Sequence, residues 1–436
     1  MNEIKVGLLG FGTVGSGVVR IFHRNLELIE KRLGASLKLT RIADLDIERD
    51  RGVAVDAGIL TTDPRQVVDN PDIDIVIELI GGYEPARDFV LQALRNGKPV
   101  VTANKALLAL HGEEIYAEAA ANDVDILFEA AVGGGIPVIT AIKENLSANK
   151  FSSVLGILNG TCNYILTRMT DAGEDFADML KEAQEKGFAE ADPSFDIDGI
   201  DTAHKLAILI SLCFGTKINF EDIYIEGISH ISPVDISFAG QFGYQIKLLA
   251  IGKLAGGVVE ARVHPTMVPI NHPLADVDGV FNAVRLNGDF VGPVILSGKG
   301  AGMDATASAV MGDVIASARD LLAGSKMRTS PLGCRTEALE RFPVKAIEDL
   351  WGPYYLRFLI VDRPGVLGRI STILGNHGIS ISSMIQMSRS INNAAPVVLT
   401  THEALEANIR SALYEIDLLE DVCHPSLFIR IENELE

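Results

Sequence analysis

Patterned cysteine is missing from this sequence of 436 residues. Its four cysteines, Cys162, Cys213, Cys334 and Cys423, follow neither CxxC nor metal-ligand spacing. That argues against a disulfide framework and fits a reducing cytosol. No run of about 18 uncharged apolar residues occurs, so no membrane span is expected. The amino terminus lacks the order of positive, apolar and small residues that marks a signal peptide, and the expected location is the cytoplasm. Positive charge is also short: 38 Lys and Arg face 58 Asp and Glu, for a net charge of −20. A field of that sign repels nucleic acid and anionic membranes, so neither is an expected partner.

What is present is ordinary globular material, 47% hydrophobic and 22% charged, long enough for two or three domains. Near the start Ile4, Val6, Leu8 and Leu9 form a buried strand that ends at Gly10. Gly10-Phe11-Gly12-Thr13-Val14-Gly15 follows at once. Gly10 allows the tight turn, Gly12 lets backbone approach a pyrophosphate, and Gly15 seats the helix close to the sheet. Free N–H groups of the first helical turn then point at the anion. Alone, GxGxxG also fits a plain turn; directly after an apolar strand it points to a nucleotide. A helix over 16–32 closes at Gly34, and a strand over 37–43 ends in Asp44-Leu45-Asp46. Asp44 there favours NAD, whereas Arg41, Arg49 and Arg51 suit the 2′-phosphate of NADP, so both cofactors stay open.

Thr62-Asp63-Pro64 predicts a helix start, 73–79 a strand, 84–96 a helix and 98–102 a further strand. Ligands of open parallel sheets bind beyond the carboxyl ends of the strands, so Gly81, Thr102, Asn104 and Lys105 should border one crevice. A solvated surface lysine is the plainer account of Lys105. A strand over 125–128 leads into Glu129-Ala130-Ala131-Val132-Gly133-Gly134-Gly135-Ile136-Pro137, a loop whose glycines let backbone come close to a ligand or ion. Pro137 opens a helix toward Leu146, and Lys150 is taken as the start of a second domain.

After a strand over 151–158, Asn159-Gly160-Thr161-Cys162-Asn163-Tyr164 enters a helix and could line a cleft. Glu190, Asp192, Asp196, Asp198 and Asp201 follow within twelve residues, with Lys205 four beyond Asp201. Asp201 and Lys205 share a helix face, and the apolar run 206–210 carries that helix inward, placing Lys205 at the mouth of a cleft. Such acidity suits an ammonium-bearing substrate, held by Glu190 or its neighbours. Further along, 242–254 predicts a helix, Gly256-Gly257 a turn and 258–265 a strand; His264 and His272 take core or loop roles. Gly298 to Gly302 then opens a helix over 303–322 that returns the chain to the first domain. The stretch 328–350 reads as a linker. Strands over 354–361, 379–387, 397–401 and 426–431, with two helices between, give a βαββαβ tail suited to regulation or dimer formation.

Together these blocks resemble the homoserine dehydrogenase family, in the monofunctional form with a C-terminal ACT domain. The family's signature falls on Ala183, Gly187, Phe188, Asp192, Pro193, Asp196, Gly199, Asp201 and Lys205. GFGTVG at 10–15, TANK at 102–105, EAAVGGG at 129–135 and NGTCNYI at 159–165 match in order, as DRPGVLGRI and NHGISI match the ACT module. The resemblance implies an α/β chain: a Rossmann-like parallel sheet over 1–149 completed by about 300–325, an α+β catalytic and dimerisation domain over 150–325, a linker over 326–352, and an ACT domain over 353–436. No kinase-sized segment precedes Ile4, which sets the expectation of a monofunctional enzyme.

The resemblance further implies reversible reduction of L-aspartate 4-semialdehyde to L-homoserine by NADPH or NADH. Lys205 would donate the proton, with Asp201 beside it and Lys105 as a polarising partner. Burial would have to lower the Lys205 pKa for exchange near neutrality, while Asp201 pulls the other way. Glu190, Asp196 and Thr161 would hold the substrate. Gly10 to Gly15, Asp44, Gly81, Thr102, Asn104, Lys105 and Gly302 would hold the cofactor. Glu129 with the carbonyls of Val132 and Gly134 would bind a monovalent cation, sodium, and threonine would bind near Gly365 and Asn376 at an ACT–ACT interface. A homodimer or homotetramer is expected. Another Rossmann semialdehyde oxidoreductase, or a non-catalytic nucleotide-binding regulator, would share the glycine loop but not the Asp201–Lys205 block.

Overall fold

A computed structural model of the chain describes residues 3–335, 338–386 and 394–433. The first sheet is built from β1 (Glu3–Leu9), α1 (Thr13–Leu33), β2 (Ser36–Ala43), β3 (Leu60–Thr61), α2 (Arg65–Val68), β4 (Ile75–Glu78), α3 (Ala86–Arg95), β5 (Val100–Thr102), α4 (Lys105–Ala121) and β6 (Ile126–Leu127). Every strand pair is parallel, in the order β3-β2-β1-β4-β5-β6. Helices cover both faces, so Val6, Leu8, Ile75, Ile77 and Val101 are buried and the strands show apolar runs instead of alternation. Strand order reverses between β1 and β4, and ligands of such sheets sit at that reversal.

The second region contains α5 (Val138–Thr140), which continues as a π-helical turn over Ala141–Asn145, then β7 (Phe151–Ile157), α6 (Gly160–Ala172), α7 (Phe176–Glu185), α8 (Ser194–Ile197) and α9 (Ile200–Phe214). After these come β8 (Tyr224–Ile225), α10 (Pro233–Gln241), β9 (Tyr244–Ala255), β10 (Val258–Pro269), β11 (Phe281–Gly288), β12 (Gly292–Lys299) and α11 (Met303–Leu322). The helix expected over 242–254 is strand β9. It pairs with β10 on one side and β7 on the other and is buried from Ile246 to Gly252. A central strand covered on both faces loses its alternation, and its apolar run imitates a helix. The stretch 300–325 completes the first unit as a helix, not as a strand of its sheet: α11 lies so close to α1 that a Cβ on Gly17 would sit 2.9 Å from that of Ala307.

The described residues of the linker 326–350 pack against the second region. Glu340 bridges to Thr216 and Val344 to Val259, and Lys345 N donates to the Val259 carbonyl at 2.8 Å. Its proline, glycine and charge deny it regular structure without denying it partners. Beyond it lie β13 (Trp351–Gly352), β14 (Tyr354–Val361), α12 (Val366–Asn376), β15 (Ile381–Gln386), β16 (Ala394–Thr401), β17 (Ala404–Leu405), α13 (Glu406–Asp417) and β18 (Val422–Ile431). Met387, the expected end of one strand, lies outside the described residues. The βαββαβ order appears with an antiparallel sheet β18-β14-β16-β15 and a core of Leu356, Phe358, Ile370, Leu374, Ile409 and Ile416. Nothing in the sequence announced its junction. Strand β18 pairs in parallel with β10 through Thr266–Arg430 and Met267–Ile431, so the second and third regions share one ten-stranded sheet.

Candidate active site

Asp201 is the centre of the site. It stands in the first turn of α9, with Lys205 one turn on, and they are 4% and 8% exposed. Lys205 Nζ donates to Asp201 Oδ2 at 2.6 Å and to the Leu158 carbonyl, just past β7, at 2.7 Å. Lys105 Nζ lies 3.1 Å from Asp201 Oδ1. Because Lys105 begins α4 of the parallel-sheet domain, one carboxylate bridges lysines from two domains. Lys105 is the more exposed of the two, whereas Lys205, expected at a cleft mouth, is buried. Burial on its own would raise the Asp201 carboxyl, but the charges of Lys205 and Lys105 hold it well below the ordinary carboxylate value.

Asn159 ties this centre to a second carboxylate. Its Oδ1 caps α6 by accepting from Cys162 N at 2.8 Å, while its Nδ2 donates to Asp201 Oδ2 at 2.9 Å and Asp196 Oδ1 at 2.7 Å. Thr161 Oγ1 shares its single proton between the Phe188 carbonyl at 2.7 Å and Asp196 Oδ2 at 3.1 Å. Thr161, Asp196, Asp201, Lys205 and Lys105 are therefore brought together. Glu190 is not: it is exposed, its carbonyl takes a bond from Gln184, and among the described residues nothing joins its carboxylate to the cluster. His204, one residue before Lys205, is buried against Phe220 with ring centroids 4.4 Å apart, and burial pushes its pKa down to about 4.

The glycine loop has the shape a dinucleotide requires. Gly10 holds φ +91°, and a Cβ there would meet the Leu79 carbonyl oxygen at 2.6 Å; one at Gly15 would meet the Gly10 carbonyl oxygen at 2.3 Å. At Gly12, just before Thr13 and Val14 open α1, a Cβ would meet nothing within 4 Å, which leaves an open cradle. No acidic residue stands in the first turn of α1, so its N–H groups are left to an anion. A cavity of about 340 Å³ beside it is lined by Gly10, Gly12, Asp44, Leu45, Thr62 and Ile80, among others. Gly302 precedes Met303, which packs on Gly17 of α1. A pyrophosphate-linked cofactor fits these residues.

Asp44 is occupied. Its Oδ2 accepts from Phe11 N at 2.6 Å, and its Oδ1 accepts from Asp46 N at 2.9 Å and pairs with Arg51 Nη2 at 3.1 Å. Of the three nearby arginines Arg51 reaches this acid, its guanidinium 4.8 Å from the Phe11 ring centroid, while Arg41 turns to the Gly58 carbonyl.

Sequence reasoning missed Glu78, at the end of β4. Fully buried, its carboxylate accepts from Thr102 Oγ1 at 2.6 Å, Ile80 N at 2.8 Å and Gly81 N at 3.2 Å. Asn104 joins the same network by donating to Thr102 Oγ1 and to the Gly82 carbonyl, and it caps α4 through Leu107 N. This network binds the expected crevice residues into one wall and presents Lys105. Burial pushes the Glu78 carboxyl up. A lone acid inside the apolar run IVIELI was the available signal.

Glu129 departs from expectation. Its carboxylate accepts from Ile139 N, Thr140 N and Thr140 Oγ1, at 2.7, 2.8 and 2.5 Å, and so serves the start of α5 instead of facing outward as a ligand. Its own N–H donates to Asp313 Oδ2 at 2.8 Å, and burial pushes the Asp313 carboxyl up to about 7. Val132 and Gly134 are buried in the loop, where Gly134 is pressed against Gly300, and offer a cation only backbone carbonyls. Among the described residues no group of three His, Cys, Asp or Glu could hold a metal ion. Gly365 and Asn376 stand at opposite ends of α12, about 16 Å apart at the usual helical rise, so one protomer cannot bring both to one small ligand.

The glycine-loop, crevice and carboxylate segments coincide with known families. Residues 10–129 match the profile described as homoserine dehydrogenase, NAD binding domain, 137–315 that of homoserine dehydrogenase, and 354–417 that of the ACT domain. The chain is 44% identical to a homoserine dehydrogenase of Pseudomonas aeruginosa over 436 residues, covering 99% of this chain and 100% of that one. The crystal structure of a homoserine dehydrogenase from Thiobacillus denitrificans superposes with a TM-score of 0.93 at 46% identity, covering 99% of each chain. A hyperthermophilic archaeal homoserine dehydrogenase in complex with NADPH superposes with a TM-score of 0.64 at 27% identity, over 75% of this chain and all of that one.

Proposed function

The chain belongs to the homoserine dehydrogenase family, and on that premise we propose that Lys205 donates the proton that completes reduction of the substrate aldehyde. The enzyme interconverts L-aspartate 4-semialdehyde and L-homoserine with a nicotinamide cofactor. When bound, the reduced nicotinamide supplies hydride. Lys205 stands ready to protonate the developing alkoxide, and its ammonium stabilises that oxygen before the proton moves. Asp201 orients Lys205 and holds Lys105 beside it, where Lys105 polarises the carbonyl. Asp196 and Thr161 position the amino-acid end of the substrate, and Glu190, exposed and close to Asp196 in sequence, is the proposed partner of its ammonium. The single observation that carries this reading is the bridge of Asp201 between Lys205 and Lys105.

Gly10, Phe11, Gly12, Thr13, Val14, Gly15, Gly81, Thr102, Asn104 and Gly302 form the cofactor wall, and NADPH is the form bound by the archaeal relative. A sodium ion would sit among the carbonyls of Glu129, Val132 and Gly134, supplying charge to fix the loop and no proton or electron. Threonine would bind the ACT domain where Gly365 of one protomer meets Asn376 of another. A homodimer is supported by edge strand β12, which among the described residues has one side unpaired and which carries the exposed Ile295. Domain limits near 150, 326 and 353 complete this reading, while the family profiles span 10–129, 137–315 and 354–417.

Asp201→Asn tests the assignment. Following loss of reduced-nicotinamide absorbance with aspartate semialdehyde, kcat should fall by about a hundredfold, in the range expected for impaired acid–base catalysis. Turnover close to wild type would overturn it. Running the same assay with NADPH and NADH, with and without threonine, ranks the cofactors. Calorimetry that detects no threonine binding would count against the effector site.

A further inference from the structure

The junction between β10 and β18 is short in backbone pairing but dense in buried charge. Arg430, on β18 and 2% exposed, donates through Nε and Nη2 to the two oxygens of Glu406 at 2.7 Å each. Its Nη1 reaches across the junction to Glu226 Oε2 at 2.8 Å. Glu226 also accepts from Tyr224 Oη at 2.8 Å and lies 3.3 Å from His230. The Tyr224 ring is covered by two arginines of the ACT domain, Arg430 at 4.9 Å and Arg410 at 5.9 Å from its centroid.

The segment held in this way backs directly onto the substrate site. Next to Glu226, Gly227 runs so close to α8 that a Cβ would lie 2.4 Å from the Ile197 carbonyl oxygen and 2.7 Å from the Asp198 Cα. Ile228 N donates to that same Ile197 carbonyl at 2.9 Å. Gly199, which opens α9, is packed against Ile225 and Val263 and lies near the Glu226 carbonyl. The two residues that bracket this docked turn, Asp196 and Asp201, are the carboxylates that Asn159 joins in the site.

We infer that Glu226 is a positioning residue for the amino-acid substrate, itself held by Arg430 of the ACT domain. The glycine at 227 leaves the contact as backbone on backbone, so a displacement of Glu226 is not absorbed by a side chain. It moves the turn carrying Asp196. The cofactor wall lies on the other domain and meets this segment through the Lys105–Asp201 pair, at the opposite end of the turn from Asp196. The ACT domain thus sets affinity for the semialdehyde more than for the cofactor or the rate of the chemical step. This inference rests on the assignment of Asp196 and Asp201 to the substrate site.

The test uses full-length Glu226→Gln, Arg430→Gln and the conservative Arg430→Lys, with kcat, both KM values and a thermal melt for each. In Glu226→Gln and Arg430→Gln the KM for aspartate semialdehyde should rise by about fivefold or more, the usual scale of coupling between sites. Both kcat and the cofactor KM should stay within about twofold, the signature of lost substrate binding. Arg430→Lys should recover part of the loss. An unchanged semialdehyde KM in both glutamine variants would overturn the inference, and so would equal losses in every parameter that follow a lowered melting temperature. If Arg430→Gln does not fold, Glu226→Gln decides alone, since that carboxylate is partly exposed and its neutral form keeps the Tyr224 bond. A wild-type enzyme unable to turn over aspartate semialdehyde would instead sink the reading of the site.

Discussion

Two seams join the three domains, and buried charge crosses both of them to different ends. Between the parallel sheet and the catalytic domain, Asp201 carries Lys105 and Lys205, and both ammonium groups keep a donor to spare. Between the catalytic and ACT domains, Asp235 accepts from Ser232, Tyr355 Oη and Arg357 all at once, and Arg262 and Lys253 converge on Glu432. Where partners are used up, a buried ion pair fixes geometry; where donors are left over, the same kind of pair can do chemistry. Burial does not separate the two cases. Unspent hydrogen-bonding capacity beside an open crevice does.

Substitutions that cost rate at one seam and stability at the other would sharpen that contrast. The largest effect is expected from Lys205→Ala, which should lower kcat by about a thousandfold while cofactor binding, followed by fluorescence titration, persists. Asp235→Ala should do the reverse. It strands Arg357 and Tyr355 and should lower stability by about 3–5 kcal/mol in chemical denaturation, with kcat of the folded enzyme preserved.

A smaller, pH-dependent effect belongs to Asp313, under Glu129 at the first seam. Its carboxyl is pushed up to about 7 by burial, against about 3.9 for an unfolded aspartate. Between those values the folded chain holds a proton that the unfolded chain has released, so wild-type stability falls as pH rises across that window and levels off above it. Asp313→Asn keeps an oxygen for Glu129 N–H and should flatten that fall, which denaturation midpoints at both ends of the window would show. The smallest change is expected from Arg51→Ala. It leaves the Asp44 carboxylate without its counter-charge, and kcat/KM for NADPH should drop about tenfold relative to NADH, the scale of one charged hydrogen bond.

Legibility followed the range of the interaction. The glycine loop could be read from its own residues, as Gly15 packs on the Gly10 carbonyl within one strand–turn–helix unit, although Gly10 itself also meets Leu79 just past β4. The Asp201–Lys205 pair is four residues apart on one helix and was equally plain. Lys105 was suspected only from its place at the end of a strand; its ion pair spans 96 positions of sequence and exists because α4 packs on α9. Glu78 was passed over because a single acid in an apolar strand carries no periodicity, although its burial organises the whole crevice. Strand β9 was misread because a strand buried on both faces and a buried helix share one hydrophobic pattern. The cation role of Glu129 came from the family resemblance, and the helix start that takes its carboxylate lies ten residues further on.

By itself the sequence determined the local units: a phosphate-binding turn, an acid–lysine pair on one helix face, and a βαββαβ tail with its own apolar core. Each depends on backbone periodicity and on neighbours a few residues apart, which composition and spacing encode directly. Tertiary structure alone decided which units share charge. It placed Lys105 against Asp201, engaged Asp44 with Arg51, and continued the catalytic sheet into the ACT domain through β18. Those choices rest on packing and desolvation between segments distant along the chain, where no repeat or spacing records the partner.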